Sequence, residues 1–323
     1  MRRRIEYIEK RNYIMEMEIL KALESIRNPV LNWILQAFTY LGEETVFMVL
    51  AIVLFWCVDK WKGYYLLSTG FLGTILSQTM KLIWRVPRPW VRDPSFTVVE
   101  SAQSGATGFS FPSGHTQSAA CTFGGIARFS KRNWLRWLML ILVLLVGFSR
   151  MYLGVHYPSD VLFSLVVGAI LVCALYPFFA GSDDKPGRVF GIVGVMTALA
   201  IVYTVYLKTH PFPADTDPAN YAEALKNAWS LVGSGFAMLL SLWLDHKYIH
   251  FELKAVWWAQ VLKVVLGLAL LLGIKEGLKP VLNPIFGADA LFTNAIRYFF
   301  VVAFAGCVWP LTFRWFARLG TKK

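Results

Sequence analysis

Three clusters of polar residues interrupt a chain that otherwise avoids charge, and their residue types suit the handling of a phosphoryl group. Lys81 is followed after six residues by Arg88-Pro89, then comes Pro112-Ser113-Gly114-His115, and Ser149-Arg150 leads after five residues to His156 and on to Asp160. Lys81, Arg88 and Arg150 offer three fixed positive charges, enough to hold a phosphate dianion and neutralise its equatorial oxygens in the transition state. Ser113 and Gly114, read as a helix start, add a hydroxyl and backbone N–H groups where the helix dipole favours an anion. Two histidines divide the remaining work, one attacking phosphorus and the other protonating the leaving oxygen. His156 suits attack, because Asp160 can bind one ring nitrogen and leave the other free. His115 is left as the acid.

The elements that must position these residues are apolar. Of 323 residues, 56% are hydrophobic and 16% charged, against roughly 25% charged in a soluble domain. With 13 Trp, 24 Phe and a mean hydropathy of +0.51, the composition describes a membrane protein and excludes secreted, disordered and coiled-coil classes. The net charge of +12 fits basic loops beside anionic headgroups rather than nucleic acid. Cys57, Cys121, Cys173 and Cys307 lie in apolar runs at no metal-ligand spacing and read as small hydrophobes.

Nine stretches, near 43–58, 64–84, 113–129, 134–149, 160–178, 189–207, 227–244, 255–274 and 291–313, can cross or nearly cross a core of about 30 Å. The expected fold is an all-α polytopic transmembrane helical bundle of about nine spans. Ahead of it, Met15, Ile19, Leu20, Leu23, Ile26 and Val30 recur at helical spacing among Glu16, Glu18, Lys21, Glu24 and Arg27. Residues 1–36 are therefore expected to form an amphipathic interfacial arm. Met1 to Arg11 is polar and basic with no apolar h-region after it, so no cleaved signal is expected. The turn Gly181 to Gly187 and the loop Pro211 to Asn220 punctuate the rest, and the sequence divides into a catalytic core, 37–180, and an appended bundle, 188–323.

Alternation of the spans puts all three polar clusters on one membrane face, so they can converge. Their order and intervals resemble the complete three-part signature of the type 2 phosphatidic acid phosphatase superfamily, over residues 37 to 180. The resemblance implies a helical-bundle phosphatase that works without metal or other cofactor, through a phosphohistidine on His156. It implies His115 as general acid, Asp160 orienting His156, and Lys81, Arg88, Ser113, Gly114 and Arg150 holding phosphate; Arg85 stands outside the signature. Integral-membrane members act on phosphatidate, phosphatidylglycerol phosphate, polyprenyl diphosphates or sphingoid phosphates, and a total near nine spans is similar to the sphingoid-phosphate branch.

Each cluster alone has an ordinary explanation: snorkelling cations, a helix cap, a structural His–Asp pair. Taken together, fixed intervals of costly polar residues favour a site. Two other activities compete, halide oxidation in a related pocket and a lipid carrier that only binds headgroups. Binding needs no acid and nucleophile pair, and no oxidant channel is evident. Asp245, His246, His250 and Glu252 suggest a metal only weakly, on the opposite face. Lys263 and Arg297, inside later spans, could mark a headgroup groove or face other helices.

Basic residues set orientation. Fourteen Lys and Arg lie on the face opposite the clusters, against fifteen on their own, of which seven belong to the arm and three are Arg85, Arg88 and Arg150. The expectation is a plasma (inner) membrane protein with its site facing away from the cytosol. Expected partners are a lipid phosphate substrate, membrane lipids and, as a candidate, a second copy of the chain; nucleic acid is not expected.

Overall fold

The computed structural model describes residues 2–181, 185–210, 218–287 and 290–319. Among them the chain is helical without strands: α1 (Arg2–Ser25), α2 (Pro29–Leu41), α3 (Glu44–Cys57), α4 (Lys60–Trp84), α5 (Pro89–Arg92), α6 (Glu100–Gln103), α7 (Gly114–Ala119), α8 (Gly125–Phe129), α9 (Asn133–Tyr152), α10 (Pro158–Phe179), α11 (Pro186–Thr209), α12 (Pro218–Leu244), α13 (Trp257–Phe286), α14 (Thr293–Ala303) and α15 (Phe313–Arg318). Residues 182–184 of the first linker and 211–217 of the second lie outside the described residues.

All nine expected stretches fall on helix, yet they are not equal as membrane crossings. Six described helical segments are long and apolar enough by themselves: Asn133–Tyr152, Pro158–Phe179, Pro186–Thr209, Asn220–Ile249, Trp257–Phe286 and Thr293–Arg318. The other three fall short for reasons visible in their sequences. α3 has 14 residues. α4 is diluted by Lys60, Lys62 and Lys81 and by a run of Ser, Thr and Gln. The stretch from Gly114 to Phe129 is a relay, α7 passing through a π turn at Ala120–Gly124 into α8. α2 and α3 meet the length and apolarity requirement only as a bent pair, which is either one broken span or a re-entrant turn, so the described residues hold six such crossings, or seven if the pair is one span.

The chain forms two compact units, Met1–Phe47 with Leu72–Ala174, and Met48–Phe71 with Leu175–Lys323. The first holds all three polar clusters. Here α1 divides its apolar residues between an inner and an outer face. Leu20 turns inward with Met17 against Phe96 and Tyr157, whereas Met15, Ile19 and Ile26 stay exposed. Asn28 ends the arm by accepting the Leu31 N–H at 3.0 Å, which caps α2. At the end of α2, Gly42 is required by close approach: a Cβ there would lie 2.8 Å from the His115 carbonyl oxygen and from Val146.

The second unit gives internal partners to the cations and acids that sequence left open. Lys263 is 1% exposed. Its ammonium donates to the Trp56 carbonyl at 2.7 Å and lies 4.2 Å from the centre of the Phe313 ring. Arg297 donates through Nη2 to the Lys275 carbonyl at 3.0 Å and through Nη1 to Asn294 at 3.2 Å, which pins α14 to α13. Asp245 pairs with Lys60 at 2.8 Å and accepts the Phe251 N–H at 3.1 Å. These groups satisfy buried backbone and helix ends, as ionisable residues at membrane depth must, and the headgroup-groove and metal readings lose their motive.

Candidate active site

The site is built where α10 begins. Pro158 occupies the first turn, its fixed φ and missing N–H suiting that place. Asp160, two residues on, reaches back so that Oδ2 accepts the Tyr157 N–H at 2.9 Å, the acidic half of a capping box. That same oxygen faces His156 Nδ1 at 3.1 Å and accepts from the Ser110 hydroxyl. The helix cap therefore doubles as the orienting group for the histidine. Ser110 is fully buried. Sequence reading missed it, and only its place just ahead of Pro112-Ser113-Gly114-His115 could have suggested it.

A carboxylate at Nδ1 fixes the proton there and leaves Nε2 with its lone pair. Nε2 lies 2.9 Å from Arg88 Nη1, a group that can only donate. His156 is 2% exposed. Burial, and then the positive charges of Arg88, Arg150 and Lys81, push its pKa well below the ordinary histidine value. The ring is thus held neutral.

The cations divide their donors unevenly. Arg88 donates to the carbonyls of Gly108 at 2.9 Å, Val155 at 2.8 Å and Thr107 at 2.7 Å. Lys81 donates to the Phe109 carbonyl at 2.6 Å. Two cations of the first cluster thus grip three consecutive carbonyls of the loop that delivers His115. A guanidinium this deeply buried needs such partners; burial draws its pKa down to about 10, so it stays charged at neutral pH.

Arg150 is different. It is 1% exposed, and its Nη1 reaches the Thr39 hydroxyl at a long 3.4 Å. Nε and Nη2 are buried without a partner among the described residues. Thr39 is held in turn by Ser149 Oγ at 2.7 Å, which donates onward to the Val146 carbonyl at 2.8 Å. Nothing in the sequence of α2 marked Thr39 for this place.

Ser113 caps α7, its Oγ accepting the Thr116 N–H at 3.4 Å. Its own N–H donates to the Asp160 carbonyl at 3.3 Å, which ties the start of α7 to the first turn of α10. Gly114 follows as the first residue of α7 and His115 as the second. His115, Arg88, Arg150 and Lys81 all act on the His156 ring, so the three clusters converge within the first unit.

Two family models match this chain, the PAP2 superfamily over residues 61–183 and the PAP2 superfamily phosphatase transmembrane extension over 229–322. Undecaprenyl-diphosphatase BcrC of Bacillus subtilis is 35% identical over 173 residues, 52% of this chain and 85% of that protein. The chain belongs to the PAP2 superfamily. Phosphatidylglycerophosphatase B of Bacillus subtilis is 32% identical over 185 residues, covering 53% of this chain and 84% of its own. The Dictyostelium discoideum protein named "Probable sphingosine-1-phosphate phosphatase" is 28% identical over 259 residues, 74% of this chain and 60% of that protein. This PAP2 protein is accordingly an integral-membrane phosphatase acting on lipid phosphates.

The neutral, buried His156 gives the PAP2 site a pH signature. Unfolded, the histidine titrates near 6.5; folded, it titrates lower, so between the two values the unfolded chain binds the extra proton. Stability from this group is complete above about pH 6.5 and is lost as pH falls below it toward the folded value. Melting in detergent from pH 7.5 to 5 should therefore fall more steeply for the wild type than for His156→Asn. Parallel curves would show that the ring is not held neutral.

Proposed function

We propose that the protein hydrolyses a phosphomonoester or diphosphate of a membrane lipid through a phosphohistidine on His156, without a metal. The observation that carries this reading is the His156 ring itself: Nδ1 is bound by Asp160, and Nε2 is turned toward the cations, its lone pair facing Arg88 Nη1. In the first half-reaction Nε2 attacks phosphorus, the bond from phosphorus to the lipid oxygen breaks, and His115 gives that oxygen a proton. In the second, water attacks phosphorus, His115 takes its proton, and the phosphorus–nitrogen bond returns its electron pair to Nε2. Arg88 Nη1 must release Nε2 before attack, and its bond to the Val155 carbonyl keeps it at hand.

Phosphate is held by Arg150 foremost, through the two nitrogens without partners among the described residues, together with Lys81, Arg88, Ser113 and Gly114. Among the described residues no three His, Cys, Asp or Glu side chains gather to hold a cation. Charge neutralisation is assigned to Lys81, Arg88 and Arg150. Residues 37–180 carry the chemistry, while 188–323 shape lipid access or packing against a second copy. In this topology the protein has nine spans, with α3, α4 and the stretch from Gly114 to Phe129 joining the six stronger ones. The basic-residue balance supports a site facing away from the cytosol across the plasma membrane.

The test is phosphate release by purified protein in detergent with EDTA, across phosphatidate, phosphatidylglycerol phosphate, undecaprenyl diphosphate and a sphingoid phosphate. Release from at least one lipid, blocked by vanadate as a mimic of five-coordinate phosphorus, is expected. Complete and reversible loss with EDTA would overturn metal independence. Binding of these lipids without release from any would favour the carrier reading.

A further inference from the structure

We infer that the N-terminal segment, α1 with the turn through Asn28, is a clasp that sets the position of the His156 loop, with Arg27 and Glu16 as positioning residues. The inference rests on His156 being the nucleophile. Its basis is that two side chains of this segment hold the two ends of that loop.

At one end, the Arg27 guanidinium donates through Nε to the Tyr152 carbonyl at 2.8 Å and through Nη1 to the Thr97 carbonyl at 2.8 Å. Tyr152 closes α9, and its carbonyl is among those a helix leaves without an internal partner. Thr97 lies in the loop that follows Arg88, so one planar fork joins the chain after the first polar cluster to the chain before His156. The loop is shaped to receive it. Gly154 has φ +83°, and a Cβ there would stand 2.7 Å from Arg27 Nη2. Glu24 supports the same point by accepting the Thr97 N–H at 2.9 Å.

At the other end, Glu16 Oε1 accepts the Ser159 N–H at 2.8 Å. Ser159 stands between Pro158 and Asp160 in the first turn of α10, where N–H groups have no helical acceptor. Between the two ends, Tyr13 packs edge-on to Tyr157 at 6.3 Å, and Met17 and Leu20 bury against Phe96 and Tyr157. Lys21 pairs with Asp93 at 3.0 Å. His156 and Asp160 thus sit on a short segment whose ends are held by Arg27 and Glu16 of the N-terminal segment.

In-line attack tolerates little error, and a displacement of about 1 Å can cost on the order of 100-fold in rate. Loosening the clasp should therefore lower kcat and leave the phosphate anchors alone. The experiment uses the full chain in detergent with p-nitrophenyl phosphate, reading kcat, KM, inhibition by inorganic phosphate and by vanadate, and melting temperature. Arg27→Met should reduce kcat about 10- to 100-fold, with KM and the inhibition constant of inorganic phosphate changed by less than about threefold, while vanadate, which needs His156 in line, weakens with kcat. Arg27→Lys should recover little, because one ammonium does not reproduce a fork spanning two carbonyls. Glu16→Leu should reduce kcat, and Glu16→Gln should restore it, since an amide oxygen still accepts from Ser159.

Wild-type kcat in both Arg27→Met and Glu16→Leu, with His156→Asn inactive, overturns the clasp. So does a loss of inorganic phosphate binding in step with kcat, which marks general support of the fold. If Arg27→Met does not fold, the Glu16 pair decides, and equal rates for Glu16→Gln and Glu16→Leu overturn the inference. An active His156→Asn enzyme instead removes the nucleophile assignment, a separate failure.

Discussion

Replacing His156 by asparagine is expected to abolish phosphate release, by a factor on the order of 10⁴ or more, in a protein that still folds. Asparagine keeps an N–H that can serve Asp160 but has nothing in the place of Nε2, so the cap of α10 survives and the attacking atom does not. The partner experiment uses His115→Asn with p-nitrophenyl phosphate. Its leaving group departs without a proton, so the first half-reaction runs, whereas the second lacks the base that activates water. Acid-labile phosphate should then accumulate on His156 after a burst of one equivalent of nitrophenol. Near-normal turnover by His156→Asn would sink the scheme, and a His115→Asn enzyme that turns over with no trapped phosphate would assign the acid–base work elsewhere.

The residues that could be named from sequence are those whose partners recur at short intervals. His156 and Asp160 are one helical turn apart at the start of α10, so their bond follows from local geometry. Pro158 and Asp160 likewise announce the helix start that they build. Apolarity located the six strong crossings, because burial in lipid demands long apolar helices whatever their packing, whereas α3, α4 and the stretch from Gly114 to Phe129 fall on helix without meeting that demand. Ser110, Thr39, Arg27 and Glu16 carry no such signal. Each meets its partner through tertiary contact, Arg27 being 125 residues from Tyr152 and Glu16 143 from Ser159, and a Ser, Thr or Glu on a helix has many commoner uses.

Where expectation and structure part, the physics is that of burial. Ile19 and Leu20 are equally apolar neighbours, but only Leu20 lies over Phe96 and Tyr157. Lys263 and Arg297 look like exposed chemistry in an apolar sequence, yet each ends on a carbonyl oxygen within its own unit. Arg88 reads as a phosphate ligand, while most of its hydrogen bonds hold backbone carbonyls on either side of the site. Periodicity says which face is apolar; it does not say which polar group a buried cation will choose.

Arg150 made the opposite choice, and this gives the second large effect. Nε and Nη2 are buried with no partner among the described residues, a costly condition for a guanidinium in the ligand-free protein. A bound phosphate removes that cost by accepting both bonds in the fork geometry that arginine presents. Two readouts should therefore move in opposite directions. Arg150→Met deletes a buried guanidinium whose Nε and Nη2 have no hydrogen-bond partner among the described residues and keeps an unbranched side chain, so the ligand-free protein should melt at the same temperature or higher. Catalysis should fall by about 10²- to 10³-fold in kcat/KM, because a cation aimed at the transition-state oxygens is gone. Vanadate, which raises the melting temperature of the wild type by binding the folded state, should no longer do so in the variant. Arg150→Lys should fall between the two, keeping charge without the fork. A ligand-free Arg150→Met protein that melts lower yet is still stabilised by vanadate would place Arg150 among the structural cations, beside Lys263 and Arg297, and leave the phosphate to Lys81, Arg88 and the start of α7.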